Sequence, residues 1–100
     1  MRENLLKIIN HYGVLPQLKY FQSEVFELNE AVITHELNKM DGNKTSDEGV
    51  ESLAHVAEEI ADCYVMLEQI RQFYCLSTVT IDVIMHQKIK RQLERIQNEK

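Results

Sequence analysis

Apolar residues recur at alternating steps of three and four along most of this chain, which is the spacing of one face of an α-helix. The clearest stretch covers about residues 46–73, and an earlier one covers about residues 16–40. The later seam comprises Leu53, Val56, Ile60, Cys63, Leu67, Ile70 and Tyr74. The earlier seam comprises Leu18, Phe21, Val25, Leu28 and Val32. No strand-like alternation competes, so the pattern predicts two long helices that pack through these seams.

A shorter helix is predicted before this pair, over about residues 2–11. It should end near Gly13, because glycine readily adopts the left-handed backbone geometry of a helix end. Pro16 fits the first turn of the second helix, where a missing N–H is harmless. We expect that helix to end at Asp41-Gly42.

Capping residues mark the starts of the third and fourth helices. Thr45 or Ser46 can cap the third, and Thr45 with Glu48 has the spacing of a capping box. The fourth should begin after Ser77 or Thr78 and run toward the C-terminus. The fold class predicted is therefore all-α, a four-helix bundle-like subunit with short loops that assembles through apolar helix faces.

Length and composition favour one folded domain over residues 1–100. The chain has 100 residues, 44% of them hydrophobic, with three glycines and one proline. No apolar run approaches the ~20 residues needed to cross a membrane. The charged start MRENLLKII lacks the apolar core of a signal peptide. We therefore expect a cytoplasmic protein that does not contact membranes.

The charge distribution is uneven. The formal net charge of −5 argues against a general nucleic-acid-binding protein, whose affinity would depend on neutralising phosphates. Residues 86–100 nevertheless carry five basic side chains against two acidic ones. An acidic site beside a basic tail suits a metal-bound polyphosphate.

Two pairs of acids stand out because each pair lies three residues apart on a predicted helix. Glu24 and Glu27 form the first pair, and Glu59 and Asp62 form the second. At about 100° per residue, both pairs lie to the same side of their apolar seams. Four carboxylates would then converge on one edge of the helix contact, where they would repel one another. Oxygen ligands in this number suit Mg²⁺, with Mn²⁺ as a substitute.

These features together resemble a known family. The pattern E-x-x-E on one helix, followed by E-x-x-D on the next, is similar to that of the MazG-like all-α nucleoside triphosphate pyrophosphohydrolases. The segment HYGVLPQLKYFQSEVFEL resembles the opening of that family, and KIKRQLERI resembles its closing basic helix. The resemblance covers nearly the whole chain.

The resemblance implies Mg²⁺-dependent hydrolysis of a nucleoside triphosphate to the monophosphate and pyrophosphate, as in the cleansing of nucleotide pools. It assigns the metal and catalytic roles to the paired acids Glu24, Glu27, Glu59 and Asp62. It assigns contacts with the substrate phosphates to Lys88, Arg91 and Arg95. Gln17 and Tyr20 would face the base or sugar.

Two alternatives remain open at this point. Phosphoribosyl-ATP pyrophosphohydrolases belong to the same superfamily and perform the same chemistry on a different substrate. A non-catalytic helical oligomerisation or adaptor module would carry the acids only as surface residues. Binding of Mg²⁺ distinguishes an enzyme from an adaptor, because an adaptor does not need the metal.

A second apolar set predicts assembly of several chains. On the second helix the set comprises Phe26, Ile33, Leu37 and Met40, and on the third it comprises Ala54, Ala57, Ala61 and Val65. Helices that are apolar over this much of their circumference are seldom surface helices of a monomer. We therefore expect a homodimer or homotetramer.

Overall fold

The computed structural model describes residues 3–41 and 46–99, and the side chains of residues 3–39 and 48–99 within them. Four α-helices follow one another: α1 (Glu3–Tyr12), α2 (Val14–Asp41), α3 (Ser46–Phe73) and α4 (Thr78–Asn98). The described residues contain no strand. The predicted all-α class with four helices is confirmed. Among the described residues, no helix is long and apolar enough to cross a membrane.

Gly13 connects α1 to α2 almost without a loop. Its φ of +92° lies in the left-handed region, and its N–H donates to the carbonyl of Ile9 at 2.8 Å. Its own carbonyl accepts from the N–H of Gln17 at 3.3 Å. The single glycine therefore ends α1, as the sequence predicted, and it also begins α2. Pro16 is the third residue of α2, within the first turn, where its missing N–H leaves no helical bond unmade.

The turn between α3 and α4 is also tightly defined. Cys75 has a φ of 54°, and the N–H of Leu76 donates back to the carbonyl of Arg71 at 3.0 Å. Ser77 caps α4, because its hydroxyl accepts from the N–H of Val79 at 3.2 Å. Of the predicted caps for α3, Thr45 and the side chain of Ser46 lie outside the described residues.

The packed part of the chain consists of α1, α2 and α3. The long helices α2 and α3 lie against each other, and α1 packs against both of them, chiefly α3. Along its described length α4 does not pack on α1, α2 or α3, and none of its side chains is buried. The radius of gyration is 17.5 Å, well above the ~13 Å typical of a compact domain of this length.

The face through which α2 and α3 meet overlaps only in part with the predicted seams, because Cys63 is the one predicted seam residue that is buried. The buried residues of this face are Glu24 and Ala31 on α2 and Glu59, Cys63, Met66 and Gln69 on α3. Predicted seam residues such as Leu53 and Leu67 remain 55% and 51% exposed. The contact is therefore rotated toward the acids, and the predicted seams face outward along part of their length. This rotation places Glu24 and Glu59 inside the helix contact, where the sequence predicted them at its edge.

Candidate functional site

Glu24 and Glu59 meet across the contact between α2 and α3. Their relative exposures are only 4% and 7%, whereas Glu27 and Asp62 are exposed. Carboxylate oxygens from Glu24, Glu27 and Glu59 all lie within 4.8 Å of one another. Asp62 lies within hydrogen-bonding reach of Glu24. The structure thus brings together the four acids that the sequence had paired.

Burial and mutual repulsion raise the pKa values of the two buried acids. For Glu24 the main cause is burial, followed by the neighbouring carboxyl of Asp62, while a hydrogen bond from the Tyr20 hydroxyl acts in the opposite direction. For Glu59 burial again raises the pKa most, followed by the charges of Glu27 and Asp62. His55 opposes these effects weakly, because its Nε2 lies 3.9 Å from Oε1 of Glu59.

Two buried oxygens of this cluster have no hydrogen-bond donor within the described part of the chain. They are Oε2 of Glu24 and Oε2 of Glu59. A buried carboxylate oxygen without a donor is destabilising, and it is more so when a second carboxylate lies close by. A divalent cation relieves both problems, because it supplies positive charge and prefers hard oxygen ligands. The donor set therefore fits Mg²⁺ or Mn²⁺.

A cleft of about 550 Å³ opens beside the acids, between α1 and the facing surfaces of α2 and α3. Asp62 lines it at the end nearest the cluster, and Gln17 and Tyr20 line it from α2. The remaining lining residues are Ile8, Tyr12, Pro16, Val65, Met66 and Gln69. This volume lies within the range typical of small-molecule sites, and mostly apolar walls with a few polar groups are also typical.

The structure does not bring the predicted phosphate-binding residues to the acids of the same chain. Lys88, Arg91 and Arg95 are exposed on α4, and beyond its first turn that helix leaves the other three. Lys88 is ten residues into α4, so about 15 Å of helix separates it from the turn. Within one chain, the sequence prediction that basic residues lie beside the acids is therefore not met.

The sequence prediction missed Gln69, which is 2% exposed and lies in the wall of the cleft. Its Oε1 accepts a hydrogen bond from Nε2 of Gln17 at 2.9 Å, and its Nε2 lies 3.8 Å from the sulfur of Met66. One signal was available. Gln69 follows Glu59 by ten residues, and Met66 follows by seven, so all three share one face of α3. A polar residue on the face of the acids was a candidate for the same site.

A polar pair also joins α2 to α3 toward their other end. Nδ1 of His35 and the hydroxyl of Ser52 are 2.7 Å apart, and both residues are partly buried. Together with the acids and the two glutamines, this pair gives the contact between α2 and α3 an unusually polar centre. Polar groups therefore contribute to the contact between α2 and α3 as well as apolar ones.

Comparisons with models of protein families, with curated proteins and with solved structures give no match to this chain.

Proposed function

We propose that this protein hydrolyses a nucleoside triphosphate to the monophosphate and pyrophosphate in the presence of Mg²⁺. The observation that supports this most is the pair of buried oxygens of Glu24 and Glu59, which have no donor among the described residues and lie beside a cleft of nucleotide size. The resemblance of the acid pairs to those of the MazG-like family implies the same reaction. A phosphoribosyl-ATP substrate would use the same groups.

Each acid has a distinct place in this proposal. Glu24, Glu27 and Glu59 would hold the metal, and Asp62 would extend the ligand set toward the cleft. Bound Mg²⁺ would neutralise charge on the phosphates and make a water molecule more acidic. The Tyr20 hydroxyl donates to Glu24 and so fixes the direction in which that carboxylate points. A carboxylate of the cluster then receives the proton of the attacking water.

The direct test is a screen of the purified protein against the common and the chemically damaged nucleoside triphosphates, with pyrophosphate release as the readout. Turnover should require Mg²⁺ or Mn²⁺ and should yield pyrophosphate rather than inorganic phosphate. A protein that releases no pyrophosphate from any of these substrates would not fit the proposal. A helical adaptor with the same fold would behave in that way.

Mg²⁺ should stabilise the folded chain, because clustered acids form the site only when α2 and α3 pack together. At a concentration a hundred times the dissociation constant, the expected stabilisation is about 2.7 kcal/mol. For a domain of this size that corresponds to a rise in Tm of roughly 10 °C or more. Melting curves in millimolar Mg²⁺ and in EDTA, at matched ionic strength, measure the effect. Superimposable curves would contradict the metal site.

The stabilisation of the folded chain by Mg²⁺ should increase with pH. Because the pKa values of Glu24 and Glu59 are raised above their ordinary 4.5, the folded chain holds these protons more tightly than the unfolded chain. Their contribution to metal-free stability is therefore lost as the pH rises above about 4.5 and through the folded pKa values. Mg²⁺ must displace the same protons, so the difference in Tm between Mg²⁺ and EDTA should widen from pH 5 to pH 8.

Assembly of two or more chains is part of the proposal. The accessible surface is 8185 Å², against about 5,900 Å² expected for a compact monomer of this mass. The second apolar set is exposed, including Phe26 and Ile33 at 64% and 52%, while the side chain of Met40 lies outside the described residues. A partner chain would cover this surface. It would also provide a route by which Lys88, Arg91 and Arg95 of one α4 reach the acids of another chain.

Light scattering at micromolar concentration should report at least twice the chain mass of 11.8 kDa. Ile33→Asp should shift the protein toward the monomer, because it would bury an unpaired charge in the contact. Thr34→Asp adds the same charge one position along, outside the apolar set, and should leave the mass unchanged. A monomeric wild-type protein would rule out this assembly.

A further inference from the structure

The cleft beside the acids has two chemically different ends along α3. Asp62 lines the end near the acid cluster, and Gln69 lines the other end. These residues are seven positions apart, so they share one face of the helix and are separated by about 10.5 Å of helical rise. Met66 and Val65 lie between them and make the middle of this wall apolar. The cleft therefore suits an elongated ligand with a charged end, an apolar middle and a polar far edge.

The far end is formed by two carboxamides that position each other. Nε2 of Gln17 donates to Oε1 of Gln69 at 2.9 Å across the gap between α2 and α3. Among the described residues, the other partner of each Nε2 atom is the thioether of Met66, at 3.9 Å from Gln17 and 3.8 Å from Gln69, and a thioether is a weak acceptor. Each carboxamide thus retains hydrogen-bonding capacity. Gln69 is 98% buried, and its partner from α2 holds it in place.

Aromatic and apolar groups flank this polar end. The exposed ring of Tyr12 and the ring of Pro16 belong to the same cleft as the two glutamines. A flat heterocycle has apolar faces and a polar edge, which is the combination that these walls complement. A carboxamide can donate and accept on adjacent atoms, as the edge of a nucleobase does.

We propose that Gln69, held by Gln17, contacts the edge of the substrate's base and determines which nucleoside triphosphate the protein prefers. This inference rests on the proposed function for its substrate class, and it assigns specificity to a residue seven positions from the nearest proposed metal ligand. The preference for one base over another should arise chiefly at the exocyclic group of the base. An amino group there needs a hydrogen-bond acceptor in the protein, whereas a keto group needs a donor. A carboxamide fixed by Gln17 cannot serve both equally well.

The test compares substrates that differ only at that group, namely CTP with UTP and ATP with ITP. The wild-type protein should distinguish the members of at least one pair by about tenfold or more in kcat/KM, the size of effect expected for one hydrogen bond made or missed with a buried carboxamide. Gln69→Met keeps the length and burial of the side chain but removes both hydrogen-bonding atoms. In this variant the ratio of kcat/KM between the two substrates of each pair should lie within about twofold of one.

Gln72→Met is the matched control, because Gln72 lies on the same helix but donates to Glu68 at 3.1 Å and does not line the cleft. The kcat/KM ratios of this variant for the two substrate pairs should equal those of the wild type. Gln17→Met serves as a second variant at a less buried position and should weaken the preference in the same direction. Unchanged ratios in both Gln69→Met and Gln17→Met would overturn the proposal.

A binding measurement separates failure of this inference from failure of the proposed function. Cytidine, uridine, adenosine and inosine lack phosphates, so their binding in EDTA does not depend on a metal. Calorimetry should detect the preferred nucleoside with the wild-type protein and with Glu59→Gln, and binding should fall at least about tenfold with Gln69→Met. Nucleoside binding without any hydrolysis would refute the proposed function alone. Hydrolysis with ratios insensitive to Gln69 would refute this inference alone.

Discussion

Glu59→Gln is expected to reduce Mg²⁺-dependent pyrophosphate release by about 10²-fold or more, while making the metal-free chain more stable. The two effects have one cause. Glu59 is buried against like charges, and one of its oxygens has no donor within the described residues. An amide has nearly the same shape without the charge, so it relieves the repulsion and removes a metal ligand at once. Pyrophosphate release and Tm in EDTA measure the two effects.

Glu58→Gln is the matched control for this prediction. Glu58 precedes Glu59 on the same helix, but its side chain is 77% exposed, and its carboxylate lies 3.9 Å from His55. The substitution removes the same charge outside the cluster, so both turnover and Tm should stay close to wild type. A Glu59→Gln variant that keeps full turnover would exclude Glu59 from the site. A variant that loses turnover by unfolding in EDTA would contradict the electrostatic explanation.

The existence and extent of the helices could be predicted from the sequence because local signals determine them. The spacing of apolar residues predicted the two long helices, and Gly13 predicted the end of α1. Ser77 and Thr78 were the two candidates for the start of α4, and Ser77 is its cap. The side on which α2 and α3 meet could not be predicted in the same way. Both helices carry apolar residues over more than one face, so several contacts bury similar apolar area. The contact present in this fold also pairs Gln17 with Gln69 and His35 with Ser52.

The acid cluster was predictable for a different reason. Residues three apart on a helix share a side whatever the packing, and the position of each pair relative to its apolar seam selected Glu24 with Glu27 over Glu27 with Glu30. The direction of α4 was not predictable, because it depends on the turn around Cys75. Arg71 contributes to that turn by donating from Nη1 to the carbonyl of Leu76 at 2.7 Å. With α4 directed away from the other helices, its basic residues lie apart from the acid cluster of the same chain.

The last prediction distinguishes the paired acids from a neighbour with the same spacing. Glu27 and Glu30 are also three residues apart, so a motif of the form E-x-x-E could equally be placed at 27 and 30. Glu24 and Glu27 have oxygens within 4.8 Å of Glu59, whereas Glu30 is exposed and lies outside that group. Glu24→Gln and Glu27→Gln should each reduce turnover by about 10²-fold or more, because each removes a ligand charge. Glu30→Gln should keep turnover within a few-fold of wild type.

Each of these three variants loses one negative charge from the same helix. A difference in turnover between them therefore cannot be explained by a general loss of negative charge. The two damaging variants should also differ from each other in EDTA. Glu24 is buried, with an oxygen that lacks a donor in the described chain, so its replacement should raise metal-free Tm, whereas replacement of the exposed Glu27 should change it less. A result in which Glu30→Gln is as damaging as Glu27→Gln, and Glu24→Gln is harmless, would move the first acid pair to residues 27 and 30. The register of α2 against α3 would then have to change by three residues, which is a rotation of about 60° and a shift of about 4.5 Å along the helix, and this would bring Glu30 toward the acids and move Glu24 away.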